Sequence, residues 1–293
     1  MPQSHAQKRS KARKRPATTP SRFASASPKI KPRDQSVLSR LAGEVALRRF
    51  DRDQIDRWQR EIHEQTLRLS RSIDRPNFTS VGRDELVRMI RMYDDRFLVV
   101  KILPVAHAEG LKFGLSSRMT RIAGKMVTHY PRGNHQAPRQ FELVLSSTLL
   151  FQTFEDVGRP VEVTGKICSD RLEAMQRVAE HEFVHLIEML IWNDGNCNEA
   201  RFQSIARRYF GHTDYRHDLI TQRERALVKF DIRVGDDVQF PHDGGKLRGR
   251  VNRITRRATI LVADPKGDRF SDGNRYLRFY VPLEKLHKLG PRR

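Results

Sequence analysis

Apolar positions along this chain follow two regimes, one helical and one alternating. Across residues 37–72 they recur at helical spacing: Leu38, Leu41, Val45 and Leu47 form one stripe and Ile55, Trp58, Ile62 and Leu67 a second, with charges on the other faces. The pattern predicts one or two amphipathic helices, ended by Pro76. Another helix is expected over GRDELVRMIRMYDDRFL, with Leu86, Met89, Ile90 and Tyr93 on one side, and FLVVKILPV reads as an apolar strand or a helix end.

Between residues 113 and 151 the spacing changes. GLSSRMTRIAGKMVTHYP and RQFELVLSSTLLF place β-branched and apolar residues between polar turns, which predicts two or three antiparallel strands and a loop at PRGNHQAPR. SDRLEAMQRVAEHEFVHLIEMLIW reads as a helix capped by Ser169. Its apolar residues run almost all the way round, so it is expected to be buried. NDGNCN breaks it, and EARFQSIARRYFG forms a second helix with Gly211 as its C-terminal cap. Residues 232–289 then alternate in short runs separated by DGG, DPKGD and SDGN turns. These predict a small all-β barrel of about five strands, of SH3-like or KOW type.

The expected fold class is therefore α+β: a small antiparallel or mixed sheet with a buried helix, then the barrel. The domain reading is residues 1–35 a basic arm, 36–228 a helical and sheet domain, and 229–293 the barrel. The arm is rich in lysine and arginine and poor in large apolar residues, so it is expected to stay disordered and to neutralise phosphates. A solubilising tail or a cleaved targeting peptide is the alternative for that segment.

Charge sharpens the picture. The chain has 293 residues, with 56 lysines and arginines against 35 acids and a formal net charge of +21. Such an excess predicts a polyanionic partner, most simply nucleic acid, and says nothing about fold. Only two cysteines occur, Cys168 and Cys197, which excludes a disulfide-rich scaffold and an all-cysteine zinc cluster. No apolar run is long enough to span a bilayer, so no membrane partner is expected. The localisation this suggests is a reducing compartment: cytoplasmic and nucleoid-associated, or nuclear.

The chemistry centres on His181-Glu182-Phe183-Val184-His185, an HExxH pattern. At i and i+4 the two imidazoles lie about 40° apart round a helix and can reach one metal ion. Zn2+ suits neutral imidazole, and Glu182 is placed to take a proton from a metal-bound water. An isolated glutamate and two histidines in an otherwise apolar helix would be costly without such a partner. A catalytic zinc site needs a third protein ligand and an open position. The downstream candidates are Cys197, Asn198, Glu199, His212 and His217, with Glu188 on the helix itself. Cys197 is favoured because a chain reversal after the helix returns it to the metal, whereas about 15 Å of helix separates it from His212. Glu188 and Trp192 share the histidine face, and Tyr215 and His217 are candidates to polarise a substrate carbonyl.

HEFVHLIEMLIW followed by RFQSIARRYFG, with SSRMTRIAGKM and FELVLSSTLLF upstream, resembles the SprT-like metalloproteases, which include the Spartan proteases. The resemblance covers roughly residues 82–220. It implies a zincin-like domain in which His181 and His185 bind zinc and Glu182 is the catalytic base. The family's third histidine falls at Asn198 here, with Cys197 beside it, a departure from the pattern. The resemblance also implies cleavage of proteins bound or crosslinked to DNA, and hence a role in DNA–protein crosslink repair.

In the barrel region Arg248, Arg250, Arg253, Arg256 and Arg257 are expected to cluster on two adjacent strands, with Phe270, Tyr276, Phe279 and Tyr280 between further cations. Arginine clamps phosphate and aromatic faces stack on bases, so this module is the expected nucleic-acid-binding site. Together the readings predict a zinc endopeptidase acting on nucleic-acid-associated proteins, with FELVLSSTLL as the sheet edge to which an extended substrate adds. The rival from another class is a non-catalytic nucleic-acid-binding protein with a structural zinc site.

Overall fold

The computed structural model describes residues 35–130 and 140–290. The basic arm, apart from Gln35, and the PRGNHQAPR loop lie outside the described residues.

The helical stripes fold as their spacing predicts. Helices α1 (Gln35–Leu47) and α2 (Arg52–Leu69) bury Leu38, Leu41 and Val45, and Ile55 and Ile62. Leu47, assigned to the first stripe, is exposed at the end of its helix. Helix α3 (Arg83–Phe97) buries Leu86, Met89, Ile90 and Tyr93. Its start is closed by Glu85, whose carboxylate accepts the Gly82 N–H at 3.0 Å and the Ser70 hydroxyl at 2.9 Å. FLVVKILPV is the end of α3 and the start of a short helix, α4 (Leu103–Ala108), and forms no strand. Phe50, Trp58, Phe97, Tyr209 and Phe210 pack edge to face or tilted, which locks α2 and α3 to the helix over residues 200–210.

The first sheet is mixed. Strand β1 (Lys112–Ser116) runs parallel to β3 (Gln140–Ser146), and β2 (Gly124–His129) runs antiparallel to β3. The order is β1-β3-β2, so FELVLSSTLL supplies the central strand and β2 is an edge. A strand paired on both sides and buried on both faces reads as a continuous apolar run, as Leu143 to Leu145 does. After α5 (Ser147–Gln152), a hairpin of β4 (Val161–Val163) and β5 (Lys166–Cys168) leads into the long helix α6 (Arg171–Trp192).

Helix α6 is buried along most of its length. Its cap is Asp170 rather than Ser169: the Asp170 side chain accepts the Glu173 N–H at 2.9 Å, while the Ser169 N–H donates to Glu173. Asn193 ends α6 in the left-handed region at φ 58°, which turns the chain back. Helix α7 (Ala200–Phe210) follows and stops at Gly211, φ 69°, where a left-handed cap favours glycine.

The second sheet contains β6 (Asp237–His242), β7 (Gly245–Ile254), β8 (Ala258–Arg269), β9 (Arg275–Val281) and β10 (His287–Lys288), in the order β10-β6-β7-β8-β9. The predicted five strands are present. No ladder joins the β9 and β10 edges among the described residues, so the sheet is open and the expected closed barrel is not formed. Its core, with Val238, Phe240, Val251 and Ile260, also takes in Ala226 from α8 (Gln222–Phe230). Arg225 on α8 bridges Asp156 at 2.8 Å and Glu284 at 3.1 Å, tying this sheet to the rest of the chain. Among the described residues no helix is long and apolar enough to cross a membrane.

Candidate metal centre

The turn of helix between positions 181 and 185 puts both imidazoles on one face. His181 Nε2 and His185 Nε2 lie 3.2 Å apart. Two nitrogens at zinc-ligand distance from one tetrahedral ion would stand about 3.3 Å apart. Phe202 of α7 packs on both rings, at 4.8 and 4.5 Å between centroids, and holds them in that relation. Burial drives the His181 pKa down to about 2, reinforced by His185, and drives that of His185 down to about 4. Both rings are therefore neutral, the form a metal requires.

The reversal at Asn193 brings Cys197 to the same place. The ligand atoms of His181, His185 and Cys197 all lie within 4.8 Å of one another, a group able to hold a metal ion. Burial raises the Cys197 thiol pKa, so it needs a cation beside it to ionise. The donors fit zinc: two neutral imidazoles and a thiol, with no fourth histidine, cysteine or carboxylate joining the group among the described residues.

Glu182 is buried against β2 and has no partner for Oε2 among the described residues. Burial raises its pKa to about 8, opposed only by the Met126 N–H. It lines the same cavity of about 450 Å3 as the three donors, together with Met126 of β2, Tyr215 and His217. His217 accepts the Ala123 N–H at Nε2, 3.1 Å away, and its buried Nδ1 has no partner among the described residues.

Comparison with protein-family models, curated proteins and solved structures found no match.

The other candidate ligands are engaged elsewhere. His212 is buried 2.8 Å from Glu180, in a polar cluster with Gln59 and Arg177, and does not join the metal group. Asn198 is exposed and bonds Asn196, and the exposed Glu199, at the start of α7, accepts from Asn196 Nδ2 at 3.3 Å. Glu188 is fully buried, and its Oε1 accepts from Arg201 Nε at 2.7 Å. The same Arg201 reaches Asp194 at 2.8 Å and lies 4.7 Å from the Trp192 ring centroid, so it clips the Cys197 loop onto α6.

Two positions the sequence reading did not single out shape the site. A β-carbon on Gly195 would come within 3.3 Å of His185 Nδ1, and one on Gly124 within 2.5 Å of Glu182 Oε1. A glycine inside a strand signals close approach, which was the available clue at Gly124. In the second sheet, Arg248, Arg250 and Arg253 lie on β7, whereas Arg256 and Arg257 occupy the β7–β8 turn, so the five share one strand and its turn rather than two adjacent strands. Phe279 is turned to the core against Phe240, and Tyr280 is exposed.

Proposed function

We propose that this chain is a zinc-dependent endopeptidase that acts on proteins associated with nucleic acid, built on a SprT-like, zincin-like domain with an SH3-like sheet module. The observation that carries this reading is the convergence of His181, His185 and Cys197 beside a buried, unpartnered Glu182 in one cavity. Three donors leave room for a water, which favours catalysis over a closed structural site.

Zinc held by these three side chains would polarise a scissile carbonyl and bring a water to an ionisable state near neutral pH. Glu182 is the proton acceptor. Glu182 Oε2 has no competing partner among the described residues, which leaves an oxygen free to take a proton and pass it to the leaving amine. The edge strand β2 offers its backbone to an extended substrate beside the cavity, in place of the buried β3. Pairing of that kind reads main chain more than side chains, so selectivity would come from co-localisation on nucleic acid. The net charge of +21 supports that partner. The Glu182→Gln variant tests the reading: it should retain metal and lose cleavage of unfolded and DNA-bound protein substrates. Equal cleavage by Glu182→Gln and wild type would overturn it.

A further inference from the structure

The outer face of the second sheet carries a recess that the peptidase chemistry does not use. Strand alternation and register define this face. Arg250, Leu261 and Arg278 lie in one cross-strand row, and Arg253, Thr259 and Tyr280 in the next. A bulge between Val251 and Arg253 keeps Arg253 on the same face as Arg250. Tyr276 stands opposite Ala263, two positions along β9 from Arg278.

Within this face lies a recess of about 810 Å3. Its floor is low at Ala263, which faces Tyr276 across the strands with only a methyl group. One wall is aromatic: Phe270 and Tyr276 meet edge to face at 5.3 Å, and the Tyr276 hydroxyl donates to Asp272 at 2.8 Å, which fixes the ring. The other wall is Arg248, Arg250 and the bulge residue Asn252. Asp237 pairs with Arg250 and Asp268 with Arg278, while Arg248 and Arg253 have no acidic partner among the described residues. Tyr280 adds a second exposed ring, 62% accessible, beyond Arg278.

We infer that this recess binds single-stranded nucleic acid, with one base against the Phe270–Tyr276 wall and its flanking phosphates on Arg248 and Arg253. The inference rests on the nucleic-acid part of the proposed function and adds the strand state and the residues that read it. In a duplex the base faces are stacked inward, and only edges and phosphates reach a protein. An aromatic-walled recess is idle on a duplex. A single strand can turn a base into it, and stacking on an aromatic side chain tolerates every base. Asn252 has both a donor and an acceptor for a base edge. Arg256 and Arg257, in the β7–β8 turn, do not line the recess and would add only charge.

The test is fluorescence anisotropy on the full chain with a mixed-sequence DNA oligonucleotide, single-stranded or annealed to its complement, across a salt series. Wild type should prefer the single strand. Tyr276→Ala should weaken single-strand binding about tenfold and leave duplex binding nearly unchanged, while Tyr276→Phe, which keeps the ring, should bind as wild type does. Arg248→Glu, at an exposed position, should weaken single-strand binding and lower its salt slope whether or not Tyr276→Ala folds. Arg256→Ala with Arg257→Ala should weaken both strand states alike and leave their ratio fixed. Equal affinity for both strand states, or a Tyr276→Ala variant of unchanged melting temperature that keeps the single-strand preference, would overturn the inference while leaving nucleic-acid binding intact. Binding of neither oligonucleotide by wild type would overturn the nucleic-acid reading itself and turn attention to a protein ligand for the face.

Discussion

Gly124 on β2 and Glu182 on α6 are in contact without an intervening side chain: a β-carbon at Gly124 would stand 2.5 Å from Glu182 Oε1 and 2.7 Å from its Cγ. The edge strand therefore lies directly on the carboxylate that the proposed chemistry needs. Gly124→Ala must push Glu182 away from its place or shift β2. We expect it to lower peptidase activity more than tenfold while zinc content stays at the wild-type level, with about 1–3 kcal/mol of destabilisation from overpacking. Parallel metal analysis and cleavage assays check this. Full activity in Gly124→Ala would show that the position of Glu182 against β2 does not matter.

Arg201 holds the Cys197 loop through Glu188 and Asp194. Partners that orient a metal ligand commonly alter metal affinity by about 10–100-fold when removed. Arg201→Ala is expected to weaken zinc binding by about tenfold and to leave Glu188 buried without its cation. Arg201→Lys should recover only part of the loss, because a single ammonium cannot reproduce the two-pronged contact. Competition titration with a zinc-binding dye measures both. Wild-type affinity in Arg201→Ala would remove the clip from the account.

Asp170 caps the helix that carries the site, and its charge gives that helix a pH dependence. Burial pulls its pKa up, but the bonds from His63, at 3.2 Å, and from the Glu173 and Leu172 N–H groups outweigh it, so the net shift is below the ordinary value of 3.8. A lowered folded-state pKa means the stabilisation is fully present above the unfolded value and is lost as pH falls through the folded one. Asp170→Asn keeps a good capping side chain and deletes only the charge. We expect it to be about 1 kcal/mol less stable than wild type at pH 7, with the gap shrinking as pH falls below the ordinary aspartate value and through the lowered folded one. Urea unfolding along a pH series reads this directly; a gap that does not shrink at any acid pH at which the protein stays folded would contradict it.

Local features were legible in the sequence, and long-range pairings were not. Helical spacing alone puts His181 and His185 on one face, and NDGNCN announces the reversal that returns Cys197. The five runs of the second sheet follow from alternation. The central place of β3 depends on its parallel pairing with β1, which no local pattern encodes, so the edge was read onto the wrong strand. Whether a five-stranded sheet closes depends equally on contacts between its first and last members. Ser169 and Asp170 are both good capping residues, and only the position of the Glu173 N–H separates them. His212 has the chemistry of a ligand, but Glu180 already takes its Nε2.

Cobalt substitution tests the central claim most directly. Metal-free protein titrated with Co2+ should develop the visible bands of a tetrahedral site and a near-ultraviolet thiolate-to-cobalt band, saturating at one ion per chain. Cys197→Ser should lose the thiolate band, and His181→Ala with His185→Ala should lose binding. A wild-type spectrum without the thiolate band, or cobalt binding unchanged in the double histidine variant, would contradict the assignment of the metal to these three side chains.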